Sequence, residues 1–424
     1  MAKISKTSFE GFCKRIINCS TVSDARDICQ KLGLVAPPSP LYAGSFYHPL
    51  ERDLIKAVRL RGGFSNCHGH ADRAYSVIEM IMAYGPDVFE RPMTEKWDMT
   101  KKLELSSTPD IYLTRILKYV FESIDSGTTY ICTNIDADPS SGTRALEAAK
   151  IVRDLFERNP KTDEYYPVVF KFGPHPHEGF FTNGKLDRMK VELYEFGSKM
   201  GNFCGGLPSR DGRIGNPESE AHFDEHLNIV LQTAQAAGRN CGIHVDQANS
   251  VSEAETHRLM EKMVQYGMQG KVVGVHCVSL SRKTKSELKD TIAQMKDVQF
   301  GAIVCPTAAI SMKAPNELSP TGGSLAPIQI LMAEGIPCFI GGDNRADIYN
   351  PYSQGNMLTE LHVARETLRS YDNDQFVRYA TSAPFAFSPF GAKKLSSDSQ
   401  RAAVNKRNTI EWSLRNGCNK QLTQ

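Results

Sequence analysis

Short apolar segments alternate with longer stretches of helical periodicity from about residue 62 onward, and this alternation constrains the fold more than any other feature. Short apolar runs predict buried strands, and the amphipathic stretches between them predict crossover helices. The predicted strands are 64–70, 129–136, 167–173, 202–208, 241–246, 272–277, 299–306 and 336–343. The predicted helices include 143–158, 222–237, 252–266 and 284–295. Eight strands joined by right-handed crossovers predict an α/β protein with a closed (β/α)8 barrel of the TIM type.

An open, doubly wound sheet is the structural competitor to this barrel. We disfavour it because no predicted strand is followed by a Gly-rich dinucleotide loop, and "TGGSLAP" lacks the spacing of a phosphate loop. The barrel is expected over residues 62–392, with an N-terminal helical extension at 1–61 and a C-terminal tail at 393–424. Within the extension, the helical spacing of apolar residues is followed by the proline-rich segment "APPSP".

The charge balance narrows the classes of partner. Lysine and arginine number 50 against 48 aspartates and glutamates, so the net charge is +2, without a block of like charge. Nucleic acid and membrane surfaces are therefore not expected partners. Residues 1–20 lack the apolar centre of a signal peptide, and no run approaches the ~20 apolar residues of a membrane span, which predicts a soluble, cytoplasmic protein. Eleven cysteines without a C-x-x-C pair argue against disulfides and against a cysteine-ligated zinc.

Four histidines and one aspartate fall at the carboxyl ends of predicted strands, where the active sites of such barrels lie. These residues are His68 and His70 on the first strand, His244 on the fifth, His276 on the sixth and Asp343 on the eighth. Side chains two apart on a strand point the same way, so His68 and His70 can bind one ion together. With His244 and Asp343 they offer three imidazoles and a carboxylate to one divalent metal ion, leaving a position for water.

Each histidine also has a simpler interpretation as a packed polar residue, and only the shared end of the barrel favours the metal site. We expect His276 to hydrogen-bond the reacting water or a developing oxyanion, rather than to pack as an inert imidazole. His175 and His177, in "GPHPHEG", follow the third predicted strand. For these two, a surface loop and a contact with substrate remain open alternatives.

The ordered set of motifs resembles the amidohydrolase superfamily, and within it the bacterial cytosine deaminase branch. The resemblance covers about residues 62–390. In chain order the motifs are "CHGHADRA", "CTNIDAD", "PHEGF", "GGLPSRD", "IHVDQ", "VHC" and "GGDNRADIYNPYSQGNM". A His-x-His motif alone is a weak signal, whereas the ordered set is specific.

The resemblance assigns roles to the residues at the strand ends. It implies that His68, His70, His244 and Asp343 bind the metal, that Asp343 also accepts a proton from the water, and that His276 stabilises the intermediate. The predicted fourth strand, "NFCGGLP", contains no lysine, so the carboxylated lysine of two-metal relatives is not supported. One divalent ion, zinc or iron, is expected as the cofactor. The expected partner is a small-molecule substrate, and a homo-oligomer is an open alternative.

Three positions depart from the cytosine deaminase pattern. Gln247 stands where that branch has a glutamate that shuttles a proton to the ring and to the leaving amine, and a carboxamide cannot do this. Asn344 replaces the aspartate after the metal-binding aspartate, and His177 replaces the glutamine that holds the pyrimidine. Gln247 is thus the altered catalytic position, and the candidate substrate-binding residues are His177, Asn344 and Asp246. Cytosine itself is not the expected substrate.

The leading predicted function is a mononuclear metal-dependent amidohydrolase that hydrolyses a C–N bond, other than a peptide bond, of a small nitrogen compound. In a deamination, Asp246 or His276 has to replace the missing glutamate. In hydrolysis of a cyclic or linear amide, Asp343 alone can accept and deliver the proton. A third alternative is a binding protein that keeps the metal barrel without catalysis. The tail is not β-rich, so the small β-sandwich of many relatives is expected to be reduced or absent.

Overall fold

Eight parallel strands form the centre of the computed structural model, which describes residues 6–35, 49–157, 168–311 and 325–383. The strands are β1 (Phe64–Asn66), β2 (Thr128–Asp136), β3 (Val169–His175), β4 (Phe203–Gly206), β5 (Asn240–Val245), β6 (Val272–His276), β7 (Gly301–Val304) and β8 (Cys338–Ile340). β1 to β3 pair in chain order, and β4 to β8 do the same in a second group. Nearly all strand residues are buried, because helices cover the outside of a parallel barrel.

Two backbone seams join these groups into a closed barrel. At the first seam, Asn202 N donates to Phe172 O over 2.7 Å, which places the beginning of β4 beside β3. At the second seam, Cys67 N donates to Ile340 O over 2.8 Å, which places β8 beside β1. These two seams pair the edge strands of both groups, so the eight strands close into one barrel. The predicted (β/α)8 barrel is therefore confirmed.

Helices surround the strands. In the described ranges they are α1 (Lys6–Ile17), α2 (Val22–Lys31), α3 (Pro49–Leu60), α4 (Val77–Tyr84), α5 (Met93–Ser106), α6 (Pro109–Asp125), α7 (Arg144–Glu157), α8 (Arg188–Met200), α9 (Glu220–Ala237), α10 (Glu255–Gln265), α11 (Lys285–Asp297), α12 (Pro306–Ser311), α13 (Ile328–Ala333), α14 (Met357–Leu368) and α15 (Asn373–Thr381). A short antiparallel hairpin, Phe181–Thr182 with Lys185–Leu186, follows β3. The four helices predicted from periodicity correspond to α7, α9, α10 and α11.

Local sequence explains where α11 begins. Thr284 accepts a hydrogen bond from Glu287 N, and the Glu287 carboxylate accepts one from Thr284 N, which is a complete capping box. Two backbone N–H groups at the helix start are satisfied in this way, so the helix begins where the sequence supplies the Thr-x-x-Glu pair.

The barrel interior holds its own apolar cluster. The cluster consists of Cys67, Tyr130, Cys132, Phe203, Val273, Val275, Ile303, Cys305, Ala308 and Phe339. Most of these side chains lie on or next to strands that are not all neighbours, and Ala308 lies on α12, so they meet across the barrel rather than along one face of the sheet. They form a packed floor beneath the carboxyl ends of the strands, where the polar residues lie.

The N-terminal helices α1 and α2 pack on α6. Phe12 and Ile16 of α1 belong to the same buried cluster as the apolar face of α6, and Arg26 of α2 forms an ion pair with Asp125 at 2.5 Å. Residues 1–61 therefore include helices on the outer surface, but the domain boundaries themselves stay predictions. The expectation for a reduced or absent β-sandwich falls on residues 384–424, outside the described residues.

Among the strand ends that differ from the prediction, two bear on the position of the histidines. β1 ends at Asn66, before the two histidines, and β3 ends at His175, so this histidine belongs to the strand rather than to the following loop. Apolar runs predict where a strand is buried, whereas its end depends on backbone pairing that the run does not encode.

Two further expectations concern cysteines and membranes. Nine cysteines have side chains that the structure describes; all nine are free, and eight of them are buried. Among the described helices, none combines the length and the apolar character that crossing a membrane requires.

Candidate metal centre

The backbone beyond β1 holds His68 and His70 between the ends of β8 and β2. Gly342 N and Asp343 N both donate to His68 O, over 3.1 and 3.0 Å, and His70 forms a parallel bridge with Asn134 of β2. Pairing therefore continues past the last residue of β1. It keeps the strand-like alternation that directs both imidazoles towards the same space.

Four buried side chains converge at this end of the barrel. His68 Nε2 lies 3.1 Å from His244 Nε2 and 3.3 Å from Asp343 Oδ1, and His70 Nε2 lies 3.3 Å from the same oxygen. One ligand atom from each residue falls within 4.8 Å of all the others. The four residues expected at the metal site are thus brought together, from β1, β5 and β8.

The tautomer of His244 is set by the backbone. His244 Nδ1 lies 2.8 Å from Gly206 O, which can only accept, so Nδ1 carries the proton and Nε2 carries the lone pair. That lone pair points at His68 Nε2. A backbone carbonyl that fixes one ring nitrogen is the usual support of a metal-binding histidine.

The electrostatics of the cluster favour neutral imidazoles beside an ionised carboxylate. Burial, with a contribution from Arg73, lowers the pKa of His70 well below its usual range, and burial with the nearby His68 does the same to the pKa of His244. Burial alone would raise the pKa of Asp343, but the contacts with His68 and His70 hold it well below its usual value. Metal ligands must be deprotonated, and this arrangement provides that state.

His276 lies on the other side of Asp343. Its Nε2 is 3.9 Å from Asp343 Oδ2, and burial lowers its pKa to about 4, so the ring is neutral near pH 7. The backbone of His276 is left-handed, with φ of 74°, an uncommon conformation for a residue with a side chain. Strain of this kind is concentrated at functional sites, where the surrounding structure holds it in place.

His175 and His177 are both buried, which removes the surface-loop alternative. The ring of His175 lies 5.1 Å from that of His70 and 5.0 Å from that of His244, centroid to centroid. His177 Nε2 lies 3.0 Å from the hydroxyl of Tyr349. Both side chains therefore border the cluster, and His175 is closer to it than its predicted loop position suggested.

Two of the three positions that depart from the cytosine deaminase pattern, Asn344 and Gln247, also lie near the barrel mouth. Asn344 follows Asp343 directly, and its Oδ1 accepts a hydrogen bond from Arg73 Nε over 3.3 Å. Gln247 lies three residues after His244 and is half-buried. Their roles towards a substrate stay predictions.

The expected role of Asp246 needs a correction. Its Oδ1 accepts hydrogen bonds from the backbone N–H groups of Glu255 and Thr256, at 2.9 and 3.4 Å, and its Oδ2 accepts one from the Thr256 hydroxyl. The side chain therefore caps α10, whose own cap position is Ala254, and is not directed at the metal cluster. The left-handed backbone at Asp246, with φ of 54°, ends the alternation that would have placed it beside His244.

Motif reasoning overlooked a second polar group beside the cluster. Arg73 Nη1 donates to Asp136 Oδ2 over 2.8 Å, and Glu104 lies close to Asp136. Arg73 and Asp136 stand inside the motifs "CHGHADRA" and "CTNIDAD", so their position was a usable signal. Glu104 lies on α5 without any motif, and only the three-dimensional packing reveals it.

Comparisons with known proteins agree with the fold. No protein-family model matches the chain. A protein from Haemophilus influenzae, to which no function is attached, is 29% identical over 291 residues, which cover 68% of this chain and 96% of that protein. N-isopropylammelide isopropyl amidohydrolase from Pseudomonas sp. strain ADP is 20% identical over 313 residues, covering 73% of this chain and 69% of that protein.

Solved structures of two other proteins are also similar to this chain in fold. 5-Methylcytosine deaminase from Klebsiella pneumoniae, liganded with 5-fluorocytosine, superposes with a TM-score of 0.63 at 19% identity, over 75% of this chain and 74% of that one. N-isopropylammelide isopropylaminohydrolase from Burkholderia multivorans gives a TM-score of 0.55 at 17% identity, over 81% and 74%. The predicted resemblance to the amidohydrolase superfamily is thus confirmed: the chain has the amidohydrolase barrel fold.

Proposed function

We propose that this protein is a metal-dependent amidohydrolase that hydrolyses a C–N bond, other than a peptide bond, of a small nitrogen compound. The observation that carries the proposal is the convergence of His68, His70, His244 and Asp343 at the carboxyl ends of three barrel strands. The relatives, which are named as amidohydrolases and a deaminase, support the same class of reaction.

The residues fit a divalent cation. The lone pair of His244 Nε2 faces His68 Nε2 at 3.1 Å, and Asp343 Oδ1 has no hydrogen-bond partner among the described residues. Buried acceptor atoms are normally paired, so a set of them turned towards one point calls for a cation there. Three imidazoles and one carboxylate suit zinc or ferrous iron, and we propose one ion of this kind at the cluster.

Asp343 and His276 provide the proton chemistry. A bound divalent ion lowers the pKa of a water molecule and polarises the bond under attack. Asp343 accepts the proton of the attacking water and delivers it to the leaving nitrogen. His276, neutral at pH 7, donates its ring N–H to the oxygen on which negative charge develops.

We propose an amine-bearing nitrogen heterocycle as the substrate class. Support comes from the relatives, one of which is a 5-methylcytosine deaminase and two of which act on N-isopropylammelide by name. Cytosine itself is disfavoured because Gln247 cannot relay a proton to a ring nitrogen. Asp246 does not replace that glutamate, since both of its oxygens accept hydrogen bonds from α10.

Hydrolysis of a cyclic or linear amide is the second candidate reaction, and Gln247 is the observation that favours it. An amide substrate needs no proton on a ring nitrogen, and its leaving nitrogen can take the proton held by Asp343. A carboxamide at position 247 can still hydrogen-bond a substrate carbonyl.

A substrate panel tests both reactions. The protein is stripped of metal, reloaded with Zn²⁺, Fe²⁺ or Mn²⁺, and assayed for release of ammonia or alkylamine from pyrimidines, pterins and triazines, and for ring opening of lactams and imides. Turnover in either group supports the proposal, and the group identifies the reaction. Metal binding without turnover in any group contradicts catalysis and favours the binding-protein alternative.

Gln247→Glu separates the two reactions further. If the pocket is otherwise built for deamination, this variant gains deaminase activity on amino-substituted rings. If the native reaction is amide hydrolysis, the variant gains nothing on such rings, and its amide turnover does not rise. Asn344→Asp, which also turns a carboxamide near the cluster into a carboxylate, is the matched control for added charge.

A further inference from the structure

A second set of metal-ligand side chains lies beside the first. It consists of Glu104 on α5, Asp136 at the end of β2 and His177 two residues beyond β3, which we call the acidic triad. One polar atom from each falls within 4.8 Å of the other two, and all three residues are at most 2% exposed. None of the three is among the four residues of the proposed catalytic ion.

Each side chain of the acidic triad has one polar atom held in place and one left over. The Ser140 hydroxyl donates to Glu104 Oε2, and Arg73 Nη1 donates to Asp136 Oδ2 over 2.8 Å. His177 Nε2 contacts the Tyr349 hydroxyl at 3.0 Å. The remaining atoms, Glu104 Oε1, Asp136 Oδ1 and His177 Nδ1, are buried without a hydrogen-bond partner in the described ranges.

The hydrogen-bond network also bears on the tautomer of His177. The Thr100 hydroxyl lies 2.9 Å from Lys96 O and 2.8 Å from the Tyr349 hydroxyl, and either hydroxyl can be the donor between Thr100 and Tyr349. When Thr100 donates to Lys96 O, it accepts from Tyr349, which in turn accepts from His177 Nε2–H. In that arrangement His177 Nδ1 has a lone pair, which faces Glu104 Oε1 at 3.8 Å.

With both carboxyl groups ionised and His177 in this tautomer, three acceptor atoms face one another, which is unfavourable in a buried site unless a proton or a cation lies between them. The 3.8 Å between His177 Nδ1 and Glu104 Oε1 is too long for a hydrogen bond. Two ligands that each bind one ion at about 2.0–2.2 Å can lie this far apart. Burial and the nearby Asp138 raise the pKa of Glu104 to about 8, so near pH 7 this carboxyl carries a proton that a bound cation would displace.

We propose that Glu104, Asp136 and His177 form a second divalent-cation site, separate from the catalytic one. Two carboxylates and one imidazole suit a borderline or hard ion such as Mn²⁺, Fe²⁺ or Zn²⁺. Arg73, Ser140 and Tyr349 hold the ligands in the orientation that an ion requires. The site does not depend on which C–N bond the protein hydrolyses, and it exists even if the catalytic proposal fails.

The second ion also has a consequence for the first centre. Asp136 belongs to the acidic triad, and it also lies within 4.8 Å of ligand atoms of His70 and His175. A cation on the acidic triad compensates buried negative charge next to the catalytic residues, and it holds His177 away from a direct role as a metal ligand at the first cluster.

Metal stoichiometry tests the proposal. Chelator-treated protein is dialysed against excess Mn²⁺, and bound manganese per chain is measured by plasma mass spectrometry and by electron paramagnetic resonance of the bound ion. We expect two ions in the wild type, one in Glu104→Gln and one in His244→Asn. The combination of both substitutions is expected to bind none.

Controls separate loss of a ligand from loss of the fold. His177→Gln removes a different ligand of the same site and is also expected to bind one ion. Glu178→Gln is the matched control, because Glu178 is a buried neighbouring carboxylate that hydrogen-bonds Ser140 N and pairs with Lys101. It is expected to retain two ions, and circular dichroism must show native helix content in every variant.

Several outcomes overturn the second site. One ion in the wild type that disappears in His244→Asn and persists in Glu104→Gln shows that a shared proton, not a cation, occupies the acidic triad. Two ions in Glu104→Gln, or one in Glu178→Gln, contradict the assignment of ligands. None of these results affects the catalytic proposal. That proposal fails if the protein binds the first ion but turns over no substrate.

Discussion

Asp343 after β8 and Asp246 after β5 share burial, position after a strand and backbone conformation, but they differ in their hydrogen bonds. Both are buried, both follow a barrel strand, and both have left-handed backbone, with φ of 56° and 54°. Asp246 accepts three hydrogen bonds from the first turn of α10. Asp343 Oδ1 faces two imidazole nitrogens at 3.3 Å and has no hydrogen-bond partner in the described part of the chain. A carboxylate is available for chemistry only where the fold leaves its oxygens unpaired.

Under the proposed function, Asp343 serves catalysis and Asp246 serves stability. A carboxylate that accepts backbone N–H groups satisfies a helix end and contributes to folding. A buried carboxylate with a spare lone pair costs folding free energy until a cation compensates it. The two aspartates therefore predict opposite responses to substitution.

Asp343→Asn gives the largest expected effect. It removes a metal ligand and the proton acceptor together, so kcat/KM falls by at least about 10³-fold, within the range of about 10²- to 10⁴-fold that a general acid–base group supplies. Steady-state kinetics and metal analysis on the same sample measure it. Asp246→Asn is the matched control, and equal losses in the two variants would break the comparison.

The change in melting temperature on adding metal to chelator-treated protein distinguishes the two aspartates. Metal that binds only the folded state adds about 4 kcal/mol when its free concentration is 1,000-fold above Kd. We expect added Zn²⁺ to raise the melting temperature of metal-stripped wild type and of Asp246→Asn, and to have a smaller effect on Asp343→Asn, in which only the acidic triad can still bind an ion. An undiminished shift in Asp343→Asn would show that Asp343 is not a ligand of the ion.

His276→Asn tests whether His276 acts in catalysis or in metal binding. Loss of a donor to the developing oxyanion costs about 10²- to 10³-fold in kcat. Metal content stays at the wild-type value, because His276 is not one of the four converging ligands. Loss of metal in this variant would instead place His276 in the coordination shell, next to Asp343.

Asp246→Ala gives the smallest expected effect on activity. The variant leaves the N–H groups of Glu255 and Thr256 without their acceptor, which costs about 1–3 kcal/mol of unfolding free energy. Urea unfolding measures this loss, and kcat per folded molecule is expected to stay within about threefold of wild type. Asp187→Ala, which removes the cap of α8 far from the cluster, is the matched control.

The sequence predicted the barrel and the four converging side chains because both follow from local patterns. Apolar runs identify strands buried on both faces, and His68, His70, His244 and Asp343 lie in motifs at their ends. Asp246 was misplaced because alternation assumes extended backbone, and a left-handed residue ends it. A β-type pattern in the sequence cannot show where that happens.

The acidic triad was missed for a different reason. Glu104 belongs to a helix between β1 and β2, and it meets Asp136 and His177 only through tertiary packing. Hydrogen bonds with Ser140, Arg73 and Tyr349 decide which of their atoms remain unpaired. Such information depends on rotamers and tautomers, which a single sequence does not encode.

The seam between β1 and β8 determines when the metal centre can exist during synthesis. Asn66 Oδ1 accepts a hydrogen bond from Gly342 N, across 276 residues of chain, and the same seam brings Asp343 to His68 and His70. A nascent chain carries its first two histidines long before their aspartate leaves the ribosome. At the proposed metal site, an ion can therefore be held by all four ligands only after β8 has been synthesised, and a chain that stops before β8 lacks the carboxylate ligand.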